Sequence, residues 1–416
     1  LRQQENLLAF MNSPVILLFT SSFPYRKEES FLENELPVLC SKAGHVYIFP
    51  DRTGDIARPI PGNATVVYLD RKNYSFYKSV FNNPLTLFSL ILTYPLRRIG
   101  IRYFIKQVSF LLRDNYVAQQ IEAWMQQNCK GKDVICYAYW FSNMATRLSI
   151  LKKKKIIKHF ISRAHRFDLY TEVNHYNFIP NRLFQLRYAD KVYAVAGAGA
   201  AYLKERYPQF AAKVAVSYLG TQNYGRQQGT DPGTFTLVSV ANFKAFKRIH
   251  LIVEILKYVD VPVTWIHFGE GPLMNEVLEK VRALPVNIHC DFRGHCTNAE
   301  VMEFYRNSYV HLFINVSSTE GLPVSIMEAM SFGIPVMATN VGGVSEIVNT
   351  ETGYLLDPSF DPAACAGIIK EVDAMRNSEK YHQLRFRVRQ FWENNLEATS
   401  AYSRFYEAIS QYAQKL

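Results

Sequence analysis

Short, uninterrupted apolar runs alternate along this chain with longer segments whose apolar residues recur at helical spacing. Val15-Ile16-Leu17-Leu18-Phe19-Thr20 is the first run; a turn at Ser21-Ser22-Phe23-Pro24, a helical pattern from Glu29 to Leu39 and a second run at His45–Phe49 follow. A run without polar alternation predicts a strand buried on both faces, the habit of a parallel sheet. The rhythm returns at Val134–Trp140, Ile156–Arg163 and Lys191–Ala196, and again at Thr236–Val240, Val263–Phe268, Val286–Phe292 and Val310–Val316. Helical patterns lie between them, at Ile249–Tyr258, up to Arg282, and at Ala299–Asn307. Such alternation predicts an α/β protein with doubly wound parallel sheets. Between Gly220 and Gly233 the chain is polar and rich in breakers, so two domains are expected, residues 11–222 and 233–390. A closing segment, 391–416, carries aromatics from Phe391 to Tyr412 at helical spacing.

One stretch departs from this rhythm. From Phe76 to Trp124 the pattern is helical, aromatic and basic, with Arg97, Arg98, Arg102, Lys106 and Arg113 set among large apolar residues. That mixture fits an anionic membrane surface as well as a packed helical pair. Composition strengthens the expectation of an anionic partner: 47 Lys and Arg against 36 Asp and Glu give a formal charge of +11. Nucleic acid is not the expected one, because no zinc finger, helix-turn-helix or RNP-like pattern accompanies the charge. The four lysines Lys152–Lys155 read as a solvated face. Six cysteines are spread thinly with no Cys-x-x-Cys, which predicts neither disulfides nor a structural zinc site and fits a cytoplasmic location. His289-Cys290 and His295-Cys296 bracket a strand end and are read as incidental rather than metal-ligating. No apolar run reaches the length of a membrane span, and residues Leu1–Phe10, ahead of the first methionine, read as an upstream extension.

Chemistry concentrates in Ser317-Ser318-Thr319-Glu320-Gly321-Leu322-Pro323-Val324-Ser325-Ile326-Met327-Glu328-Ala329-Met330. It follows the run Val310–Val316 and opens a helix that Gly333 should end. Pro323 suits the first helical position, where its missing N–H costs nothing. Backbone N–H groups around Gly321–Val324, with the positive end of the helix dipole, suit a phosphate. Glu320 and Glu328 flank that anion site. Carboxylates accept hydrogen bonds from hydroxyls, so a ligand with hydroxyls on both sides of a phosphate is the natural guest, and a nucleotide sugar is such a ligand.

Continued through Gly333-Ile334-Pro335 and Gly342-Gly343-Val344-Ser345-Glu346, this wording strongly resembles the retaining glycosyltransferases of family 4, the glycosyl transferases group 1. The resemblance covers most of the chain and is sharpest from Thr236 to Leu356. It implies the GT-B fold, two Rossmann-like domains facing each other across a cleft, with the last helix crossing back onto the first domain. It implies transfer of a sugar from a nucleotide-diphosphate donor to a hydroxyl of a glycan or lipid-linked glycan, in polysaccharide or cell-envelope biosynthesis, by a cytoplasmic enzyme that sits peripherally at the inner membrane face. By the same resemblance Glu320 contacts donor-sugar hydroxyls and Glu328 the ribose. Lys247 with Arg248 takes the diphosphate, along with the Gly321, Leu322 and Pro323 backbone. Asn242 stands where the family usually has an arginine, and Arg248 is the substitute. His165 matches the family's His-x-x-Asp loop (His165-Arg166-Phe167-Asp168) and faces the reacting carbon. The Phe23-Pro24-Tyr25 loop with Glu29 and Glu35 resembles the acceptor-facing first loop, except that Tyr25-Arg26-Lys27-Glu28 replaces its glycines.

No cofactor is expected beyond the donor itself. The chain holds no Asp-x-Asp, the pattern with which metal-dependent transferases hold Mn²⁺ or Mg²⁺, so a metal-independent reaction is expected. Gly197-Ala198-Gly199 lacks the third glycine of a dinucleotide fingerprint. A nucleotide-sugar epimerase on the same fold, or a silent sugar-nucleotide-binding homologue, are the alternatives. The first would release altered nucleotide sugar with no acceptor, and the second would be expected to lose Glu320 or Lys247.

Overall fold

The structure is a computed structural model describing residues 13–26, 29, 31–54, 57–69, 101–174 and 177–416, with only the backbone for 101–104. Residues 70–100, and with them Arg97 and Arg98 of the basic aromatic stretch, lie outside the described residues, as do Leu1–Phe10 and the Arg102 side chain.

The chain divides into two compact units. The first holds residues up to Val195, Gly199–Ser217 and Tyr402–Leu416, and the second Ala196–Ala198 and Tyr218–Ala401. In the first, strands β1 (Val15–Thr20), β2 (His45–Pro50), β3 (Ala64–Val66), β4 (Asp133–Ala138), β5 (Ile161–Ala164), β6 (Lys191–Ala194) and β7 (Val214–Val216) form a parallel sheet in the order 3-2-1-4-5-6-7. Gln414–Lys415 adds antiparallel beside the start of β4. All six residues of β1 are buried, as a central parallel strand requires. In the second unit, β8 (Phe235–Val240), β9 (Val263–Phe268), β10 (Ile288–Phe292), β11 (Leu312–Asn315), β12 (Val336–Thr339) and β13 (Gly353–Leu356) are parallel in the order 10-9-8-11-12-13.

Both orders reverse direction once, between β1 and β4 and between β8 and β11. At such a reversal the loops leaving the two neighbouring strands diverge to opposite faces and leave a crevice beyond their carboxyl ends, where ligands meet an open α/β sheet. That places the loop Ala241–Arg248 and the loop Val316–Pro323 side by side in the second unit. In the first unit, the loops after β1 and β4 share the corresponding position, with the β5 loop next to them.

Three departures from the sequence pattern have local causes. Only Ile161–Ala164 of the run Ile156–Arg163 is strand. The N–H groups of Lys158 and His159 donate to the Gln414 side chain and that of Phe160 to Asp190, so they are not available to a ladder. The segment after Phe391 is not one helix but the end of Glu379–Asn395 and the whole of Ala398–Ser410. Thr221 enters the break, its N–H donating to the Leu396 carbonyl and its carbonyl accepting from Ala398, while the Glu397 carboxylate caps the new helix through the N–H groups of Thr399 and Ser400. Third, the helix after Glu320 is Val324–Ser331, and Pro323 is its N-cap with ψ 108°, not its first helical residue. A proline φ fits either position, and the extended ψ moves the helix's first N–H groups to Val324 and Ser325, since those of Ile326 and Met327 donate to the Pro323 carbonyl.

Candidate active site

In the second unit the loop after β8 makes a single 3₁₀ turn, Ala245–Lys247, and Arg248 follows it in the left-handed region at φ 49°. For a residue with a Cβ that conformation costs of order 1 kcal/mol, so something must hold it. The Arg248 guanidinium does, donating to the carbonyls of Val316 (2.7 Å), Pro358 (2.8 Å) and Ser317 (3.3 Å). Ser318 returns the tie by donating its N–H to the Phe246 carbonyl at 2.7 Å. The two loops at the sheet reversal are thus fastened together backbone to side chain.

The fastening brings the side chains of Lys247 and Glu320 together. Lys247 Nζ lies 2.6 Å from Glu320 Oε1, and Asn315 Nδ2, at the end of β11, donates to the same oxygen at 3.3 Å. Glu320 is 7% exposed. A carboxylate that buried stays charged only with partners, and these are an ammonium and an amide. Sequence reasoning placed Glu320 and Lys247 in the site but did not include Asn315, whose only signal was a polar residue closing an apolar run. Arg248, expected on the diphosphate, is spent on carbonyls and acts here as the clamp of the loop. Asn242 is exposed at the start of that loop.

Behind Glu320 the turn Gly342-Gly343 explains its own composition. Gly342 has φ +57°, and a Cβ there would stand 2.0 Å from the Glu320 carbonyl oxygen; one on Gly343 would stand 2.7 Å from the Gly321 carbonyl oxygen. The Gly343 N–H donates to that Gly321 carbonyl at 2.8 Å. Only a side-chain-free turn can back the Glu320-Gly321 segment this closely. Leu322 is buried, so its contribution to any ligand is its backbone.

Glu328, one turn into the helix, is half-buried, and its Oε1 accepts from Asn298 Nδ2 at 2.6 Å. Burial pushes its carboxyl up to about 7, with the Asn298 amide pulling the other way. The unfolded chain loses this proton near the ordinary glutamate value and the folded chain only near 7. Folding therefore becomes less favourable as pH rises through that window, and the deficit is complete above it. Glu328→Gln keeps an acceptor for Asn298 and removes the charge, so it is expected to stabilise the protein by about 1–3 kcal/mol at pH 8 and by almost nothing at pH 4. Thermal melts at the two pH values check this; equal melting points for variant and parent at pH 8 would mean the carboxylate is well solvated.

In the first unit His165 closes β5, and its backbone N–H donates to Asp168 Oδ1 at 2.6 Å. The other Asp168 oxygen accepts from the Phe141 N–H after β4, so one carboxylate ties the two loops. The His165 ring is packed against Trp140, Tyr139 and Phe31, with centroids 4.5, 4.7 and 5.7 Å away. Glu29, completely buried, gathers the N–H groups of Ser21 (2.9 Å), Ser22 (2.5 Å) and Phe23 (2.6 Å) and the Trp140 indole N–H, which fixes the loop after β1 around that ring. Among the described residues no group of three or more His, Cys, Asp or Glu side chains converges as a metal site, and no helix is long and apolar enough to cross a membrane.

Residues 220–391 match the family model described as glycosyl transferases group 1. The D-rhamnosyltransferase WbpZ of Pseudomonas aeruginosa is 29% identical over 136 residues, 32% of this chain and 34% of that protein. A putative colanic acid biosynthesis glycosyltransferase, WcaL of Salmonella typhimurium, is 28% identical over 169 residues, 38% of this chain and 42% of the relative. The chain thus spans between a third and a half of the length of these curated relatives. Over nearly its whole length the fold is shared with Anabaena Alr3699/HepE, crystallised in complex with UDP, at a TM-score of 0.65, 15% identity, and coverage of 96% of this chain and 100% of that one. Two parallel-sheet, Rossmann-like α/β units are therefore arranged in sequence as in GT-B glycosyltransferase structures.

Proposed function

From a chain whose residues 220–391 form a glycosyl transferases group 1 domain, we propose a retaining transfer of a sugar from a nucleotide-diphosphate sugar to a hydroxyl of a glycan or lipid-linked glycan. One observation carries the reading: the Lys247 ammonium and the Glu320 carboxylate, 2.6 Å apart, stand together just ahead of the helix Val324–Ser331. The leaving group is a nucleoside diphosphate, so the barrier falls mainly by stabilising charge that grows on the β-phosphate oxygen. Lys247 and the free N–H groups of the helix start supply positive charge for that oxygen, while Glu320 accepts from hydroxyls of the sugar being transferred. Glu328 accepts from the ribose, His165 meets the donor sugar, and Arg248 keeps the Lys247 loop in register. The UDP complex of the Anabaena structure supports a uridine nucleotide as the first donor base to try. The colanic acid biosynthesis relative supports an acceptor in polysaccharide assembly.

The test is a panel of UDP- and GDP-sugars in excess EDTA. One donor class is expected to raise the melting temperature, by mass action on the folded state, and transfer to a glycan acceptor is expected to survive the chelator with the donor's anomeric configuration kept. Activity lost with EDTA and restored by Mn²⁺ or Mg²⁺ would overturn the metal-independent mechanism. Release of an altered free nucleotide sugar with no acceptor would make the protein an epimerase.

A further inference from the structure

Three side chains of the first unit bury polar atoms that make no hydrogen bond among the described residues: both ring nitrogens of His165, the Tyr139 hydroxyl and Glu35 Oε2; Asp168 Oδ2 faces His165 Nδ1 from 4.0 Å, beyond hydrogen-bond reach. Tyr139 and Glu35 are completely buried and His165 is 7% exposed. The Tyr139 and His165 rings are 4.7 Å apart, and the Tyr139 ring lies 6.0 Å from that of Tyr137, whose hydroxyl donates to Glu35. The Glu35 carboxyl is pushed up by burial and drawn back by Arg163, the Tyr137 hydroxyl and His165. Glu35 is not loose. Its Oε1 accepts from the Tyr137 hydroxyl at 2.9 Å and faces Arg163 at 3.4 Å, and Arg163 is itself held by the Tyr137 hydroxyl, the Ser217 carbonyl and the Phe405 ring. One oxygen of a firmly anchored carboxylate is therefore committed, and the other is buried without a hydrogen-bond partner among the described residues.

Buried donors and acceptors in folded proteins are paired, with each other or through an enclosed water that makes two to four bonds. We propose that Glu35 and Tyr139 are positioning residues for His165: with the imidazole they form a closed hydrogen-bonded chamber, completed by an enclosed water, that holds the ring in one tautomer. One ring nitrogen belongs to the chamber, and the other is left for the substrate. The Asp168 carboxylate, 4.0 Å from Nδ1, makes no hydrogen bond to the ring, so without the chamber either nitrogen can carry the proton. The consequence for transfer rests on the proposed function, in which His165 meets the donor sugar; the tautomer itself does not.

The experiment reads both. In protein labelled with ¹⁵N-histidine, the His165 signals are assigned by their loss in His165→Gln, and the tautomer is read from the ring nitrogen shifts at pH 8. Wild type is expected to show one tautomer. Tyr139→Phe, which removes a hydroxyl with no protein partner and should fold normally, and Glu35→Gln are both expected to give a mixture. Turnover should fall on the order of tenfold or more in each, with donor KM within about twofold, since the ring is misplaced rather than lost. His165 shifts unchanged in folded Tyr139→Phe would overturn the inference, whatever the activity. Altered shifts together with undiminished transfer would uphold the chamber and count instead against a role for His165 in the reaction.

Discussion

Lys247→Ala is expected to lower turnover on the order of 100-fold, about 2–3 kcal/mol of barrier, because in the proposed reaction it removes the ammonium that meets the charge developing on the leaving diphosphate. The structure adds a complication that the test must separate. Lys247 also neutralises Glu320, whose side chain is 9% exposed and is otherwise supported by the Asn315 amide. Removing the lysine leaves a buried carboxylate short of a partner, a loss of about 1–3 kcal/mol in stability on its own account. A cycle with Glu320→Gln divides the two effects. If Lys247 serves only to neutralise Glu320, adding Lys247→Ala to Glu320→Gln changes nothing further. If it meets the donor, the added loss stays near its full size. Turnover of Lys247→Ala within twofold of wild type would take the residue out of the reaction. Arg248→Ala is expected to act differently, loosening the Val316–Pro323 loop and lowering the melting temperature along with activity, because its guanidinium holds three carbonyls.

Gly342→Ala is the second large effect. At φ +57° a methyl group is strained by about 1–3 kcal/mol, and this one would stand 2.0 Å from the Glu320 carbonyl oxygen, a backbone atom that cannot rotate away. Either the turn or the Glu320 loop must shift, and a displacement of about 1 Å at a reacting group costs roughly 100-fold. Loss of that size, with a lowered melting point, is expected although Gly342 reaches no ligand through a side chain. Gly62→Ala, where an added Cβ meets nothing within 4 Å, is the control and should leave activity unchanged. Wild-type activity in Gly342→Ala would mean that the position of Glu320 does not depend on this turn.

The sequence alone determined the elements and where chemistry should lie along the chain. Val15–Thr20 and Val263–Phe268 are strands with the limits their apolar runs predict, because a strand buried on both faces tolerates no polar alternation and announces itself locally. The strand-to-helix turns after Val310–Val316 and after the β5 run were legible for a similar reason: such a turn is written in consecutive residues. Partners distant in the chain were not legible. Lys247 and Glu320 are 73 residues apart and meet because β8 and β11 are neighbours at the sheet reversal, a fact of topology that no local pattern encodes. The resemblance offered Arg248 as a diphosphate ligand in place of the arginine missing at Asn242; its carbonyl acceptors in two other loops are a matter of tertiary structure alone. Glu29 and Glu35 carry the same charge and follow the same strand, and nothing in their composition marks them as buried. Tertiary structure alone made one the anchor of the Ser21–Phe23 backbone and the other the partner of Arg163, since a buried carboxylate is set by which donors the folded chain brings around it.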